Sequence, residues 1–117
     1  MVVSSLSARV PTLKQIPELH SVLMREREVV VLDIETTGLS LDKHAEIIEI
    51  GAVKLDVERR KITKTYSQMI CPAEAFSIPQ KITDITTITW DDVKEKPYIE
   101  EVLPGFYAFL GDSPIVA

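Results

Sequence analysis

Three stretches of apolar residues in the first two thirds of the chain predict β-strands that follow one another closely. The first, at 29–35, is apolar at successive positions until Asp33, which is typical of a strand covered on both faces of a sheet. The second and third, at 46–57 and about 62–70, are joined by the charged residues 56–61. Because these connections are too short for crossover helices, the three strands must pair antiparallel as a meander.

The remainder of the chain has the spacing of helices. A helical turn is predicted at about 80–85, and Thr89 is placed to be the N-cap of a further turn at 90–93. A longer helix is predicted at roughly 98–110 and ends at Gly111. Its apolar residues recur on one side. They are Ile99, Val102, Leu103, Phe106 and Leu110.

Three further expectations concern the ends of the chain and the third strand. An amphipathic helix is expected at about 17–27, inside a preamble or linker at 1–28. The apolar run 115–117 indicates the start of another buried strand, from which we expect the chain to be part of a longer domain. The third strand has four candidate inward residues, which are Ile62, Tyr66, Met69 and Ile70.

Composition restricts the classes of function. A length of 117 residues suits one compact domain, and the net charge of −5 argues against a broad basic surface for nucleic acid. That charge is compatible with a site made of carboxylates that divalent cations neutralise. The single cysteine excludes a disulfide within the chain, and no stretch resembles a signal peptide or a membrane span. We therefore expect a cytoplasmic protein with no membrane partner.

Asp33 and Glu35 are the candidate chemical groups. Residues two apart in a strand point to the same face, so the two carboxylates should lie side by side, ~7 Å apart at the backbone. Like charges in an apolar strand repel each other, and a hard divalent cation would relieve that repulsion. A strand end that simply emerges into water is the alternative, and Asp-x-Glu alone favours it. The small residues Thr36, Thr37 and Gly38 follow directly, in a turn that could approach a phosphate closely.

The stretch 31–39, followed by 46–53, resembles the first motif of the DEDD family of 3′→5′ exonucleases. It is particularly similar to the proofreading exonucleases of bacterial DNA polymerase III, either the epsilon subunit or the domain within polC-type polymerases. The segments 78–89 and 100–117 resemble the same proteins. The resemblance implies an α/β, RNase H-like fold, in which a mixed sheet contains an antiparallel three-strand meander and is flanked by helices.

The same resemblance implies a role for individual residues. Asp33 would ligate, and bridge, two divalent metal ions (Mg²⁺ or Mn²⁺), and Glu35 would ligate one of them. The other positions that match substrate contacts in the family are Thr36, Thr37, Gly38, Leu39 and Thr86. The implied reaction is hydrolysis at a single-stranded 3′ end of DNA, or of RNA, with release of nucleoside 5′-monophosphates. The implied partner is the polymerase subunit or domain of DNA polymerase III.

Two departures from the family pattern qualify that expectation. Thr87 stands where relatives usually have Gly, which affects the conformation of the loop there. The family's second and third motifs, with the general base and the remaining acidic ligands, would lie beyond Ala117. We therefore expect 29–117 to be the first half of an exonuclease domain and to be inactive, or nearly so, by itself.

Three alternatives remain at this stage. The acidic pair and Thr36 also suit a haloacid-dehalogenase-type phosphatase, although such enzymes use Asp where Glu35 stands and place crossover helices between parallel strands. The fold could instead serve as a non-catalytic binding or assembly module attached to a polymerase or a helicase. An RNA-directed exonuclease of the same family is the third possibility, because half of a site cannot distinguish DNA from RNA.

Overall fold

A computed structural model describes residues 28–38 and 44–117, in which strands come first and helices follow. The strands are β1 (Glu28–Thr36), β2 (Ile47–Asp56), β3 (Lys61–Met69) and β4 (Ile115–Val116). The helices are α1 (Gln80–Thr86), α2 (Trp90–Val93) and α3 (Ile99–Leu110). No helix among these residues is long and apolar enough to cross a membrane. The helix predicted at 17–27 and the rest of the preamble lie outside the described residues.

The four strands form one sheet in the order β3-β2-β1-β4. The amide of Thr37, just after β1, donates to the carbonyl of Glu46, just before β2, over 2.9 Å. Likewise the amide of Ile70, just after β3, donates to the carbonyl of Ile48 at the beginning of β2, over 2.9 Å. In each pair the end of one strand therefore meets the start of its neighbour, which is the arrangement of the predicted antiparallel meander.

β4 makes the sheet mixed because it pairs parallel with β1. Val30 is the register partner of Ile115, and Val31 is the partner of Val116. Parallel pairing requires a long connection, and the three helices between β3 and β4 supply it. The predicted fold class, a mixed sheet with an antiparallel meander and flanking helices, is confirmed.

One compact unit contains 34–50 and 67–108. Its core joins β2 to α1 and α2 through four buried side chains, with three half-buried ones packed against them. The buried residues are Ile48, Ile82, Ile88 and Val93, and those packed against them are Met69, Ile78 and Trp90. The short helices, which hydrogen bonding alone would not stabilise, are held by this apolar contact.

The other compact unit contains, among the described residues, 28–33, 51–66 and 109–117, and it has a buried lysine. The ammonium of Lys54 lies 3.7 Å from a carboxylate oxygen of Glu28 and 5.3 Å from the centre of the Phe109 ring. The Tyr66 and Phe109 rings are 5.4 Å apart, and burial raises the pKa of Tyr66. Charge pairing and the aromatic face together offset the cost of burying the Lys54 ammonium.

The prediction that Ile62 points inward is wrong. Its side chain is 47% exposed, whereas Tyr66 and Met69 are half-buried and Ile70 is buried. β3 is an edge strand of the sheet, and its first five residues are all exposed. The apolar pattern indicated a strand, but it did not indicate how far along that strand the covering layer extends.

The predicted N-cap of α2 and the predicted apolar side of α3 are confirmed. Thr89 is the N-cap of α2, and the Asp92 carboxylate accepts hydrogen bonds from the Thr89 amide at 2.8 Å and from its hydroxyl at 3.0 Å. These two bonds, the backbone one foremost, lower the pKa of Asp92. In α3, Val102 and Phe106 are buried, as the apolar spacing predicted.

Thr87 closes α1 in a conformation that suits glycine. Its φ of 66° and ψ of 2° are left-handed, and its amide donates to the carbonyl of Thr83 over 2.8 Å. A β-branched residue in this region is strained by roughly 1–2 kcal/mol. The left-handed turn explains why glycine suits this position, and Thr87 keeps the same turn at a cost in stability.

We expect Thr87→Gly to raise the free energy of unfolding by about 0.5–1 kcal/mol, because relief of strain exceeds the added chain entropy of glycine. Lys81→Gly is the matched control, since Lys81 is an exposed residue in the regular part of α1. That change should destabilise the protein by roughly 0.5–1 kcal/mol. Urea denaturation measures both. A lower midpoint for Thr87→Gly would contradict the left-handed assignment.

We expect the capping contribution of Asp92 to depend on pH. Its pKa is lowered in the folded state, so the stabilisation is fully present above the unfolded value of 3.8 and is lost as the pH falls through the lower folded value. Denaturation of wild type and Asp92→Asn should therefore differ at pH 6 and converge towards about pH 2. Asp112→Asn, at an exposed carboxylate elsewhere, is the control for the change of charge. A constant difference across this range would contradict the assignment.

Candidate active site

β1 brings the two predicted carboxylates onto one face of the sheet. Val29 and Val30, successive residues at its beginning, are both fully buried, so this end of the strand is covered on both faces. Further along, Asp33 is only 8% exposed, Ile34 is 37% exposed and Glu35 is half-buried. The strand period of two places Asp33 and Glu35 on the same face and Ile34 on the other. The strand on which the prediction depends is therefore present, and the joint role of the two carboxylates stays a prediction.

The chemistry of this donor set suits a hard divalent cation. A buried and a half-buried carboxylate on one face repel each other as anions, and Mg²⁺ or Mn²⁺ prefers such oxygen ligands. Within 28–38 and 44–117, no group of three or more His, Cys, Asp and Glu residues could hold a metal ion. The role of Asp33 and Glu35 as metal ligands therefore stays a prediction.

The turn after β1 is fixed by hydrogen bonds of its own threonines. The Thr36 hydroxyl donates to the carbonyl of Gly38 over 2.7 Å. The Thr37 hydroxyl accepts from the amide of Glu46 at 3.0 Å, and the Thr37 amide donates to the Glu46 carbonyl at 2.9 Å. Both hydroxyls thus hold the shape of the turn, and their proposed contact with substrate stays a prediction. Leu39 lies outside the described residues.

Thr86 is placed at the last residue of α1. Its hydroxyl donates to the carbonyl of Ile82 over 2.8 Å and accepts from the amide of Ile88 at 3.1 Å. The first is the bond that a helical threonine can make to the carbonyl four residues earlier, and the second pairs the amide of Ile88, which follows the helix. Thr86 therefore secures the connection from α1 to Ile88, and its predicted role near the substrate is untested.

Glu46 is a residue of this region that the sequence pattern did not single out. Its carboxylate accepts from the amide of Ala73 at 2.7 Å and from the amide of Glu74 at 3.2 and 3.3 Å. Its own backbone is paired with Thr37. In the sequence, Glu46 begins the stretch 46–53 that resembles the family, but an acidic residue at the start of an apolar strand is usually a solvated strand end.

Comparison with known proteins identifies the family. The model of the family described as Exonuclease matches residues 30–117. The chain belongs to the exonuclease family. This exonuclease domain has its acidic pair at the beginning of the matched region. The match decides against the phosphatase alternative, which needs helices between successive strands, whereas only 57–60 separate β2 from β3.

Curated relatives of this chain include proteins named as DNA polymerase III. It is 49% identical over 90 residues to a protein named DNA polymerase III PolC-type from Clostridium perfringens, a match that covers 77% of this chain and 6% of that protein. It is 40% identical over 87 residues to the DNA polymerase III subunit epsilon of Aquifex aeolicus, covering 74% and 41% respectively. The chain therefore spans a small part of the PolC-type relatives and less than half of the epsilon relative.

Solved structures confirm the RNase H-like exonuclease fold. The nuclease domain of 3′hExo, a DEDDh family member bound to rAMP, matches with a TM-score of 0.65 and 23% identity, over 71% of this chain and 43% of that one. Exonuclease X in complex with 5′ overhanging duplex DNA matches with a TM-score of 0.56 and 32% identity, over 68% and 43%.

We expect Thr37→Val to lower the free energy of unfolding by about 1 kcal/mol, because valine cannot accept the hydrogen bond from the Glu46 amide. Thr37→Ser, which keeps the hydroxyl, is the matched control and should retain most of the stability. Chemical denaturation of both variants measures the difference. Equal stability of the valine and serine variants would show that the bond across the turn contributes nothing.

Proposed function

We propose that this chain contributes Asp33 and Glu35 to the active site of a metal-dependent 3′→5′ exonuclease. The enzyme would hydrolyse phosphodiester bonds at nucleic-acid 3′ ends and release nucleoside 5′-monophosphates. The observation that carries the proposal is the position of both carboxylates on one face of β1, directly before the turn at 36–38. The match of residues 30–117 to the exonuclease family supports it.

The polymerase III relatives support DNA as the substrate and proofreading as the setting. Proteins named DNA polymerase III PolC-type and DNA polymerase III subunit epsilon share 49% and 40% identity with this chain. We infer that the domain acts on single-stranded 3′ ends of DNA in association with a polymerase subunit or within a polymerase chain. Residues 29–117 would form the first part of the exonuclease domain, and 1–28 a preamble or linker.

Asp33 and Glu35 would hold the metal ions. When bound there, two divalent cations, Mg²⁺ or Mn²⁺, supply activation of a water molecule and charge stabilisation at the leaving 3′ oxygen. The strand contributes rigidity, since Asp33 lies almost fully buried on a strand that lies between two others in the sheet. A ligand held in this way keeps its orientation without rearrangement during the reaction.

The turn would receive the terminal nucleotide. Thr36, Thr37 and Gly38 follow the carboxylates without a gap, and three hydrogen bonds to Gly38 and Glu46 fix their backbone. A preformed turn of small residues lets a nucleotide approach closely at little entropic cost. Leu39 and Thr86 complete the proposed substrate contacts.

The resemblance to the DEDD exonucleases implies two further acidic ligands and a general base, either His or Tyr. The positions of this chain that match the family's acidic motif supply two carboxylates, Asp33 and Glu35. We therefore infer that the 117-residue chain alone releases few or no nucleotides, and that activity needs the complete site.

The test is release of mononucleotides from 3′-labelled single-stranded DNA with Mn²⁺, using the full-length product of the gene. Asp33→Asn and Glu35→Gln should each lower kcat by at least roughly 100-fold, since each removes a charged ligand while keeping its shape. Ile34→Val is the matched control, because Ile34 lies between them on the opposite face, and it should keep wild-type activity. The 117-residue chain should give only background release.

Two results would contradict the exonuclease proposal, and a third would change the substrate assigned to the domain. Full activity of Asp33→Asn would show that the carboxylate pair is not the catalytic centre. An inert full-length protein that still binds single-stranded 3′ ends would instead identify a non-catalytic binding module. Faster release from a 3′-labelled RNA of the same sequence would assign the domain to RNA.

A further inference from the structure

Glu46 uses both its backbone and its side chain to connect two segments of the same compact unit. Its amide and carbonyl pair with the hydroxyl and amide of Thr37, at 3.0 and 2.9 Å. Its carboxylate accepts from the amides of Ala73 and Glu74, the shortest bond being 2.7 Å. The turn after the catalytic carboxylates and the loop after β3 therefore meet at one residue.

The part of the loop at 73–77 depends on this connection because little of it is buried, whereas Pro72 before it is buried and Ile78 after it packs against the core. Ala73 and Glu74 are exposed, and the Phe76 side chain is 83% exposed. A segment with so few apolar contacts takes its position mainly from its hydrogen bonds. Bonds from backbone amides to a carboxylate are charge-assisted, and they are stronger than bonds between neutral groups. The Glu46 carboxylate is thus the principal anchor at the beginning of the loop.

The carboxylate of Glu46 differs in role from those of Asp33 and Glu35. Both of its oxygens accept loop amides, so it is committed to the protein backbone. The backbone amide of Glu46 donates to the hydroxyl of Thr37, and Thr37 follows Glu35 by two residues. A change at Glu46 should therefore alter the position of the turn and leave the acidic pair itself intact.

We propose that Glu46 is a positioning residue of the exonuclease, which sets the place of the turn at 36–38 by tying it to the amides of Ala73 and Glu74. This inference rests on the proposed function, in which that turn receives the terminal nucleotide. The turn pairs with the Glu46 backbone, and the carboxylate prevents that backbone from moving relative to the loop. Loss of the carboxylate should thus weaken binding of the 3′ end more than it slows the chemical step.

Two substitutions and one control separate this role from a general effect on folding. Glu46→Leu removes both acceptors and keeps the size of the side chain. Glu46→Gln keeps one carbonyl oxygen, which can still accept from Ala73, and it should restore part of the function. Glu74→Gln removes a neighbouring negative charge in the same loop and leaves the two amides bonded to Glu46.

The experiment measures KM and kcat for mononucleotide release from single-stranded DNA by the full-length gene product with Mn²⁺. We expect Glu46→Leu to raise KM about tenfold, within the range typical of coupling between linked sites, and to change kcat by less than about threefold. Glu46→Gln should lie between Glu46→Leu and wild type, and Glu74→Gln should match wild type. Hydrogen–deuterium exchange of the same proteins should become faster in Glu46→Leu both at 36–38 and at 73–74.

Other outcomes would overturn the inference. A fall in kcat with unchanged KM, in proportion to a loss of folded protein, would make Glu46 a purely structural residue. Faster exchange at 73–74 without faster exchange at 36–38 would also make Glu46 a purely structural residue, because the turn would then be independent of the loop. Failure of the proposed function can be distinguished from failure of the positioning role. Wild type would then release no nucleotides, or Asp33→Asn would be as active as wild type. In that case the positioning role falls with it.

Discussion

Strand β1 is covered on both faces at its beginning and also carries the two acidic side chains of the proposed site. The rest of that site depends on where along the strand these side chains lie. The strand lies between β2 and β4, and its first valines are completely buried. A charge in that part of the strand would lose its hydration without compensation. The two carboxylates of the proposed site, Asp33 and Glu35, lie in the second half of the strand, and Asp33 remains almost fully buried there. A buried anion beside a second anion is a costly arrangement, and this cost is the physical reason for proposing a cation at this place.

The turn after β1 is fixed by hydrogen bonds. Thr36 and Thr37 are small, and their hydroxyls bond to backbone groups of Gly38 and Glu46. Residues without hydroxyls could not make these bonds. The turn next to the acidic pair is thus held by its own side chains, which is the kind of rigidity that a preorganised site requires.

The two compact units are stabilised by different kinds of contact. In the unit formed by 34–50 and 67–108, short helices are held by contacts of their isoleucines and valines with β2. In the other, Lys54 is buried between the Glu28 carboxylate and the Phe109 ring. Thr87 shows that local strain is accepted where the chain must turn, because the turn is required whichever residue stands there.

The sequence by itself determined the features that depend on spacing along the chain. Asp33 and Glu35 share a face because a strand has a period of two, and the meander follows from connections too short for helices. Thr89 and the apolar side of α3 could be predicted because capping and helical periodicity are local. The motif that follows Asp33 was sufficient to indicate the exonuclease family. Only the tertiary structure decided that Ile62 is exposed, that Thr87 is left-handed, and that Glu46 bonds to Ala73 and Glu74. The exposure of Ile62 and the bonds of Glu46 depend on which distant segment covers or contacts the residue, and residue spacing contains no information about that. The conformation of Thr87 follows from the way its amide bonds to Thr83 at the end of α1.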